Sequence, residues 1–306
     1  MYNKIMKKIS VLLILVLLAG FSQPCEAGIF SEQKAKIEQN RIQKTTISEI
    51  KALFGEQTKQ ANKHSLIGLQ SLYSRDFVNS DGFNYDTYMK MVEETWETYP
   101  DISYNTEIKN IDYTDNYASV EVIETAYASP EEIIGNFKAV GEMYSISKCI
   151  YHLEKHGTIW LIASEQILEE TSSLRYGDAR YLNIALDAPL QTGAGKNYTV
   201  TLKADIKKGY SAIASISKEN IVYPQTKSED VFRRVSNDNV LERVFVSNKN
   251  NVNEYAFASV ALTHAEDVDE SHVRVYMSGL AFVMTRINVI PENKYVDMKS
   301  SDKGGI

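Results

Sequence analysis

Glu124 is the carboxylate whose position best suits acid–base chemistry. It continues a run in which Ala118, Val120 and Val122 occupy every second position. Such alternation places side chains on one face of a β-strand. Burial on an apolar face would raise the pKa of Glu124, as a general base working near neutral pH requires. Alternatively, the strand twists outward at its end and Glu124 meets water; the spacing leaves both interpretations open.

The other residue types that carry chemistry form no recognisable motif. The five histidines are His64, His152, His156, His264 and His272. None lies at ligand-like spacing from another histidine, a cysteine or a carboxylate, so no metal site and no cofactor are predicted. Cys149 lies between Lys148 and Ile150 in a predicted strand, which favours a small buried side chain over a nucleophile. Phosphate-binding loops, paired CxxC motifs and nucleophile elbows are absent from the sequence.

The first 27 residues have the order of a secretory signal peptide. Lys4, Lys7 and Lys8 precede an apolar run from Ile9 to Phe21, and the small-residue site Cys25-Glu26-Ala27 follows. The apolar run has 13 residues, whereas a membrane-spanning helix needs roughly 20. We therefore expect cleavage after Ala27 and a periplasmic or secreted protein without a stable membrane anchor.

Charge and cysteine content restrict the partners of the mature chain. Removing three lysines and one glutamate with the signal peptide takes the net charge from −7 to −9. An acidic chain of this kind repels nucleic acid and anionic lipid. Cys149 would be the only cysteine left, so no intrachain disulfide is expected.

Helical patterns come first along the mature chain, and strands follow. Residues 28–45 are polar and favour a helical or flexible spacer. Apolar residues then recur at helical spacing from Ile47 to Tyr73, which predicts one long helix, and again from Tyr85 to Trp96, which predicts a second. Beyond Pro100 the period changes to two, which predicts an antiparallel sheet up to about Leu168.

This order resembles the nuclear transport factor 2-like superfamily, which includes ketosteroid isomerases and SnoaL-like proteins. The likeness covers about residues 46–170 and is carried by four segments. These are the helical pattern ending in 69–77 (LQSLYSRDF), the second helix up to Trp96, the strand 116–122 (NYASVEV) and the hairpin 153–162 (LEKHGTIWLI). The resemblance implies that residues 46–176 form a cone of helices and curved sheet around an apolar pocket. Many members bind small molecules or partner chains without catalysis, and some dimerise through the sheet.

The implied pocket selects the candidate ligand-binding residues. They are Tyr73, Tyr88, Trp96, Val120, Glu124 and Trp160. Tyrosine combines an apolar body with a polar tip and suits a pocket wall. It suits a half-buried sheet equally well, and this alternative applies also to Tyr85, Tyr104, Tyr117 and Tyr151. Isomerases of the superfamily use an acidic base with a tyrosine and a second acid as oxyanion donors; only the base has a candidate here, Glu124.

The second half of the chain predicts an all-β domain over residues 181–291. Tyr198 to Ile206 alternates strictly, and shorter strands follow near 211–216, 240–247, 254–264 and 272–289. Strands at this spacing favour a β-sandwich of immunoglobulin-like shape. Residues 175–180 fit a connection between independently folding domains, and residues 292–306 fit a disordered tail.

Taken together, these patterns predict an α+β domain followed by an all-β domain in an exported protein. The leading hypothesis is a non-catalytic binding or assembly protein, whose first domain takes a small apolar ligand or a protein partner. The alternative is an isomerase- or dehydratase-like enzyme with Glu124 as general base. A third hypothesis is a structural module that forms homodimers through the sheet of the first domain.

Overall fold

A computed structural model describes residues 26–134, 137–226, 230–236, 238–269 and 272–291. The predicted signal peptide up to Cys25 and the predicted tail 292–306 lie outside the described residues. The chain divides into two compact units, Met1–Lys51 and Ala52–Ile306. In the first unit the described residues are all helical, and every site discussed below lies in the second. No described helix is long and apolar enough to cross a membrane.

The described residues form three α-helices, one 3₁₀ turn and fourteen strands. The helices are α1 (Glu26–Asn62), α2 (Leu66–Gln70) and α3 (Tyr85–Thr98), and the 3₁₀ turn is Asp178–Tyr181. The strands of the first half are β1 (Tyr73–Asn79), β2 (Ser103–Tyr113), β3 (Tyr117–Ala128), β4 (Glu131–Ile134), β5 (Phe137–His156) and β6 (Ile159–Gly177). Those of the second half are β7 (Ile184–Asp187), β8 (Gln191–Gly193), β9 (Asn197–Ala204), β10 (Tyr210–Asn220), β11 (Arg233–Arg234), β12 (Val240–Val246), β13 (Glu254–Asp269) and β14 (His272–Ile290).

The N-terminal helix is longer at its start and shorter at its end than the sequence predicts. Residues 28–45, predicted as a helical or flexible spacer, lie within α1. The prediction of one helix continuing to Tyr73 is wrong, because α1 ends at Asn62. His64 has a φ of 50°, in the left-handed region that ends helices. Tyr73 instead begins β1, which runs parallel to β6.

The second predicted helix is confirmed as α3. A turn at residues 79–82 precedes it, and Gly82 adopts a φ of 85°, which glycine accepts without strain. The Asn84 side chain caps the helix by accepting a hydrogen bond from Thr87 N at 3.0 Å. The helix ends at Thr98, two residues before Pro100.

The strands of the first half form the predicted antiparallel sheet, which continues into the second half. The order along the sheet is β11-β10-β13-β14-β6-β5-β3-β2. Strand β14 pairs with β13 on one side and with residues 171–177 of β6 on the other. The first half is therefore α+β, as predicted, and it is hydrogen-bonded to the second. Independent folding of residues about 31–176 and 181–291 stays a prediction.

A smaller sheet, β12-β9-β7, shares its buried core with the large sheet. Val200 and Leu202 from the small sheet lie in one buried cluster with Ala258, Leu262 and Ala281 from the large sheet. The strict alternation predicted for Tyr198 to Ile206 is confirmed over β9, where every second residue is buried. The separate sandwich domain and its immunoglobulin-like shape remain predictions.

Trp160 is the core residue of β6 whose truncation should cost most. Its side chain is 3% exposed, and Lys155 Nζ lies 5.1 Å from the centre of its indole ring. We expect Trp160→Ala to lower the free energy of unfolding by about 3–5 kcal/mol, because truncation leaves a cavity that the sheet cannot fill. Urea denaturation measures the change. The neighbouring Ile159, 62% exposed, provides the control: Ile159→Ala should cost less than about 1 kcal/mol, and similar losses at both positions would contradict the prediction.

Candidate functional site

A cavity of about 100 Å³ lies between the helices and the sheet of the first half. Helices α1, α2 and α3 and strand β1 contribute Gln57, Thr58, Ala61, Leu69, Tyr73, Tyr88, Val92 and Trp96. The sheet contributes Tyr104, Thr106, Glu124 and Tyr151. Glu124 is the one carboxylate among these lining residues, and none of them is lysine, arginine or histidine.

Helical periodicity brings the first wall of the cavity together. Tyr88, Val92 and Trp96 recur at every fourth position of α3 and therefore share one face. The aromatic rings pack closely, since the centroids of Tyr73 and Tyr88 are 5.7 Å apart. The Trp96 indole stacks on the His64 imidazole with 5.1 Å between centroids. This histidine thus packs behind the wall, where Nε2 lies 3.2 Å from Ile102 O.

Strand register builds the second wall. Glu124 of β3 lies opposite Thr106 of β2, and Val120 lies opposite Tyr151 of β5. Residues directly opposite each other in an antiparallel pair project from the same face. Glu124 and Tyr151 consequently share the face that lines the cavity, because Glu124 lies four residues along β3 from Val120, the residue that pairs with Tyr151.

Glu165 reaches the same face only because β6 contains a β-bulge. Tyr151 pairs with Glu165, and His152 with Ser164, but Leu153 pairs with Ile162. Ala163 is the additional residue, and an additional residue reverses the face of everything beyond it. Strict alternation from Trp160 and Ile162 would direct Glu165 to the other face of the sheet. The bulge turns it inward, where it is 5% exposed.

The Tyr151 hydroxyl lies between two carboxyl groups. Its Oη is 3.0 Å from Glu124 Oε2 and 2.9 Å from Glu165 Oε1. A phenol has one hydrogen to donate, so it can donate to only one of these carboxylates. The second contact is a hydrogen bond when the other carboxyl is protonated and donates to Oη. The geometry therefore suits a pair of acids that holds a proton.

Burial supports the same protonation state. The apolar surroundings raise the pKa of Glu124 from its ordinary 4.5 to about 7. Burial, and then the charge of Glu124, raise the pKa of Glu165 to about 8. Burial also raises the pKa of Tyr151, and the two glutamates add to the effect. Both carboxyls thus titrate near neutral pH and the phenol stays protonated, which is the condition for proton exchange within the group.

Two buried oxygen atoms at this site lack a hydrogen-bond donor among the described residues. They are Glu165 Oε2 and Gln57 Oε1. Gln57 is 6% exposed, and its Nε2 donates to Tyr73 Oη at 2.8 Å, so only its oxygen remains free. An unpaired buried acceptor costs free energy. A ligand that brings donors would recover this loss.

Cys149 is the third group beside the two carboxylates. One ligand atom each from Glu124, Cys149 and Glu165 lies within 4.8 Å of the others. Burial, and then the two neighbouring carboxylates, raise the pKa of the thiol, so a metal ion would first have to displace its proton. The thiol donates to Ser147 Oγ at 3.6 Å, and Cys149 is not among the cavity-lining residues that the structure describes. These facts fit the predicted small buried side chain.

Four of the six sequence-predicted site residues line the cavity. Tyr73, Tyr88, Trp96 and Glu124 do so, and the Glu124 side chain is half-buried there. Val120 and Trp160 are buried in the core and are not among the described lining residues. The sequence interpretation missed Glu165 and Gln57, and it named Tyr151 only among the tyrosines that could be packing. That any of these residues binds a ligand stays a prediction.

A second, larger cavity adjoins the first at Tyr104, which lines both. It measures about 530 Å³ and is mostly apolar. Its wall includes Tyr99 and Met143 from the first half, and Phe257, Phe282 and Met284 from the second. Two of its lining residues are hydrogen-bonded to each other, since Ser172 Oγ donates to Ser145 Oγ at 2.7 Å.

A separate buried ion pair joins the turn before α3 to the last strand. Arg286 donates to Asp81 through both terminal nitrogens, at 2.9 and 2.6 Å. Both side chains are almost completely buried. Asn253 Nδ2 also donates to Asp81, at 2.7 Å. Neither residue of this bidentate pair lines the smaller cavity.

Stability should depend on pH through the carboxyl pair. Below about pH 4.5 both glutamates are protonated in the folded and unfolded chain. As pH rises, the unfolded chain releases these protons near pH 4.5, whereas the folded chain holds them until about pH 7 and 8. The free energy of unfolding should therefore fall from about pH 4.5 to about pH 8. Urea denaturation across this range measures the slope.

The control for this prediction is Glu165→Gln, whose side chain is uncharged at every pH. We expect the variant to show a shallower decline than the wild type, because one of the two titrating groups is gone. Equal slopes would show that Glu165 titrates with an ordinary pKa and would contradict the prediction.

No family model matches this sequence, and no curated protein matches it. Similar solved structures include Bd1075 from Bdellovibrio bacteriovorus, with 12% identity over 39% of this chain and 40% of that chain and a TM-score of 0.32. Another is hexachlorocyclohexane dehydrochlorinase LinA-type3 from Novosphingobium barchaimii, with 12% identity over 42% and 88% of the two chains and a TM-score of 0.34. A third is a nuclear transport factor 2-like superfamily protein from Salmonella enterica serovar Typhimurium, with 12% identity over 41% and 91% and a TM-score of 0.33.

The similar part amounts to about 40% of this chain in each case, and the resemblance to the nuclear transport factor 2-like superfamily stays a prediction of the sequence. This chain spans less than half of Bd1075. The likeness concerns the fold of that part alone.

Proposed function

We propose that the smaller cavity is an enzyme active site that transfers protons on a small molecule, with Glu124 as general base. The observation that supports the proposal most is the Tyr151 hydroxyl held between Glu124 and Glu165. A general base with a pKa near 7 is largely ionised at neutral pH and still binds a proton strongly. Burial raises the pKa of Glu124 to about 7. Of the hypotheses drawn from the sequence, the isomerase- or dehydratase-like enzyme is thus the one we favour.

The roles follow from which groups reach the cavity. Glu124 and Tyr151 line it, whereas Glu165 lies behind Tyr151. Glu124 would accept a proton from a substrate carbon, and the electron pair left behind would move onto an adjacent oxygen. Tyr151 would donate its proton to that oxygen and recover one from Glu165. Returning the first proton to another carbon, while the oxygen gives its proton back to Tyr151, gives an isomerisation. Where the substrate carries a hydroxyl group on the carbon next to the deprotonated one, that hydroxyl takes up the first proton and leaves as water, which gives a dehydration.

The test is isotope exchange, which detects proton transfer whatever product the enzyme forms. The purified protein is incubated in deuterium oxide with small ketones and hydroxyketones, and loss of the substrate C–H signal is followed by NMR. We expect catalysed exchange with at least one compound class, with a rate that rises as Glu124 ionises near pH 7. Absence of catalysed exchange across the panel would overturn the proposal.

The competing hypothesis is an exported, non-catalytic binding or assembly protein. One observation favours it: the second cavity of about 530 Å³ is mostly apolar, as small-molecule binding sites commonly are. That hypothesis predicts binding without exchange in the same assay. Homodimerisation through the sheet remains a further prediction of the sequence, to be measured by light scattering of the purified protein.

Export is predicted by the sequence alone and has a direct test. We expect the intact mass of the protein isolated from its native compartment to correspond to a chain that begins at Gly28, because a signal peptidase cleaves after small residues such as Ala27. A chain that retains Met1 and sediments with membranes would contradict the prediction.

A further inference from the structure

The smaller cavity is unusual in combining acidic groups with aromatic faces and no positive charge. Its lining contains Glu124, with Glu165 one hydrogen bond away through Tyr151. No lysine, arginine or histidine is present among the described lining residues. A carboxylate buried without a counter-charge is costly, so an incoming positive charge would be stabilised here.

The aromatic wall provides a second source of attraction for a cation. The rings of Tyr73, Tyr88, Trp96, Tyr104 and Tyr151 all line the cavity. The face of an aromatic ring attracts cations, most strongly where water is excluded, and such walls recognise ammonium groups. An uncharged apolar ligand would use the rings but would leave the carboxylates uncompensated.

Unpaired acceptors give a third, independent indication. Gln57 lines the cavity, is 6% exposed and has no donor for Oε1 among the described residues. Glu165 Oε2 lacks a donor in the same sense. A protonated amine donates through its N–H groups and choline donates through its hydroxyl, so either cation can supply the donor that Gln57 Oε1 lacks. The Trp96 indole N–H is an unpaired donor in the same lining, so a carboxylate or phosphate would find a donor there but would lie in the same cavity as the Glu124 carboxylate.

We propose that the smaller cavity binds a small organic ammonium ion, held between Glu124 and the surrounding aromatic rings, with the charge of Glu165 behind Tyr151 adding to the attraction. The inference rests on the proposed function in one respect, since it names the class of substrate for the same site. The volume of about 100 Å³ limits the part of the ligand inside the cavity to about seven to ten heavy atoms, because each water needs about 10–15 Å³ by this measure.

Cation binding should be linked to proton release. An ammonium ion stabilises the ionised carboxylates, so protons held by the pair near neutral pH leave when it binds. Affinity should therefore rise between pH 6 and pH 8, by up to about tenfold per pH unit for each proton released. The groups packed around the pair are the tyrosines named above, Thr106 and Cys149; Glu170 and Asp81 lie further off and also raise the pKa of Glu165.

The experiment is calorimetry of the full mature chain with choline as the probe. Its neutral isostere 3,3-dimethylbutan-1-ol has the same shape without the charge, and titration in two buffers of different ionisation enthalpy counts the protons released. We expect choline to bind at least about tenfold more tightly than the alcohol at pH 8, with proton release. Equal affinities, an affinity for choline that falls with rising pH, or no binding of choline would each overturn the proposal.

Matched variants locate the site. Glu165→Gln should weaken choline binding by about tenfold and leave the alcohol within about twofold. Glu121→Gln removes the same charge from the outer face of β3, where Glu121 pairs with Lys148 at 2.7 Å, and should change neither. Circular dichroism verifies folding, and if Glu165→Gln fails to fold, the comparison of the two probes on the wild-type chain still decides. Zn²⁺ binding that excludes choline would show a Glu124–Cys149–Glu165 metal site instead and overturn the proposal.

The proposed function and this inference fail separately. Choline binding without isotope exchange on any compound would overturn catalysis and leave the ammonium site standing. Exchange on neutral ketones without choline binding would support catalysis and overturn the ammonium site.

Discussion

Replacing Arg286 by methionine should lower the free energy of unfolding by about 3–5 kcal/mol. The substitution leaves Asp81, which is almost completely buried, without its charged partner. An uncompensated buried charge is the costly outcome of breaking such a pair. Glu170 increases the effect, since Arg286 lowers the pKa of that buried carboxyl, against the larger effect of burial. Urea denaturation at pH 7 measures the change.

Two controls distinguish the loss of charge from the loss of packing. The double variant Asp81→Asn with Arg286→Met removes both charges and should cost less than the sum of the single variants. Lys109→Met disrupts the exposed pair Lys109–Glu107 and should cost less than about 1 kcal/mol. An Arg286→Met variant as stable as the wild type would contradict the prediction, as would strict additivity of the two single changes.

Glu124→Gln should lower kcat by about 10²–10⁴ for any substrate found by isotope exchange. Glutamine keeps the size of the side chain and its contacts with Thr106 and Tyr151 but cannot accept a proton from carbon. The change in KM should be much smaller than the change in kcat, because a general base acts in the transition state. Steady-state kinetics at pH 8, where wild-type Glu124 is mostly ionised, gives both parameters.

The control for this prediction is Glu121→Gln, which changes the opposite face of the same strand and should retain wild-type kinetics. Loss of activity in both variants would indicate damage to β3 rather than removal of a base. Full activity of Glu124→Gln would exclude Glu124 as the base.

The alternation of apolar residues along the sequence correctly predicted the part of the site that lies on a regular strand. Glu124 lies on the inner face because β3 alternates without interruption from Ala118, and four of the predicted residues line the cavity as the resemblance implied. The helix was extended to Tyr73 in error because Leu69 and Leu72 keep helical spacing, whereas His64 ends the helix through its backbone conformation. A left-handed residue that is not glycine leaves little trace in a sequence.

Glu165 was inaccessible to the same reasoning. Its inward orientation depends on the bulge at Ala163, and alternation followed from Trp160 assigns it to the wrong face. A second additional residue at Leu168 reverses the face again, so that Glu170 also turns inward and accepts a hydrogen bond from Tyr255 at 2.9 Å. Bulges result from the partner strand and the register, neither of which a local pattern specifies. The inward orientation of Glu165 therefore results from tertiary structure. Without Glu165, Tyr151 would lack its second carboxyl partner.

The position of β14 also dictates the order in which a nascent chain can reach its final form. This strand is the last to be synthesised among those described, yet it is an interior strand, paired with β13 and β6. Asp81 can form its ion pair only after Arg286, 205 residues further along the chain, has been synthesised. Until β14 emerges from the ribosome, residues 171–177 of β6 and the facing edge of β13 have no strand beside them, and unpaired edges recruit other chains. A stalled or truncated product would therefore be prone to aggregate. In the complete chain, β14 pairs with both β13 and β6 and covers these edges.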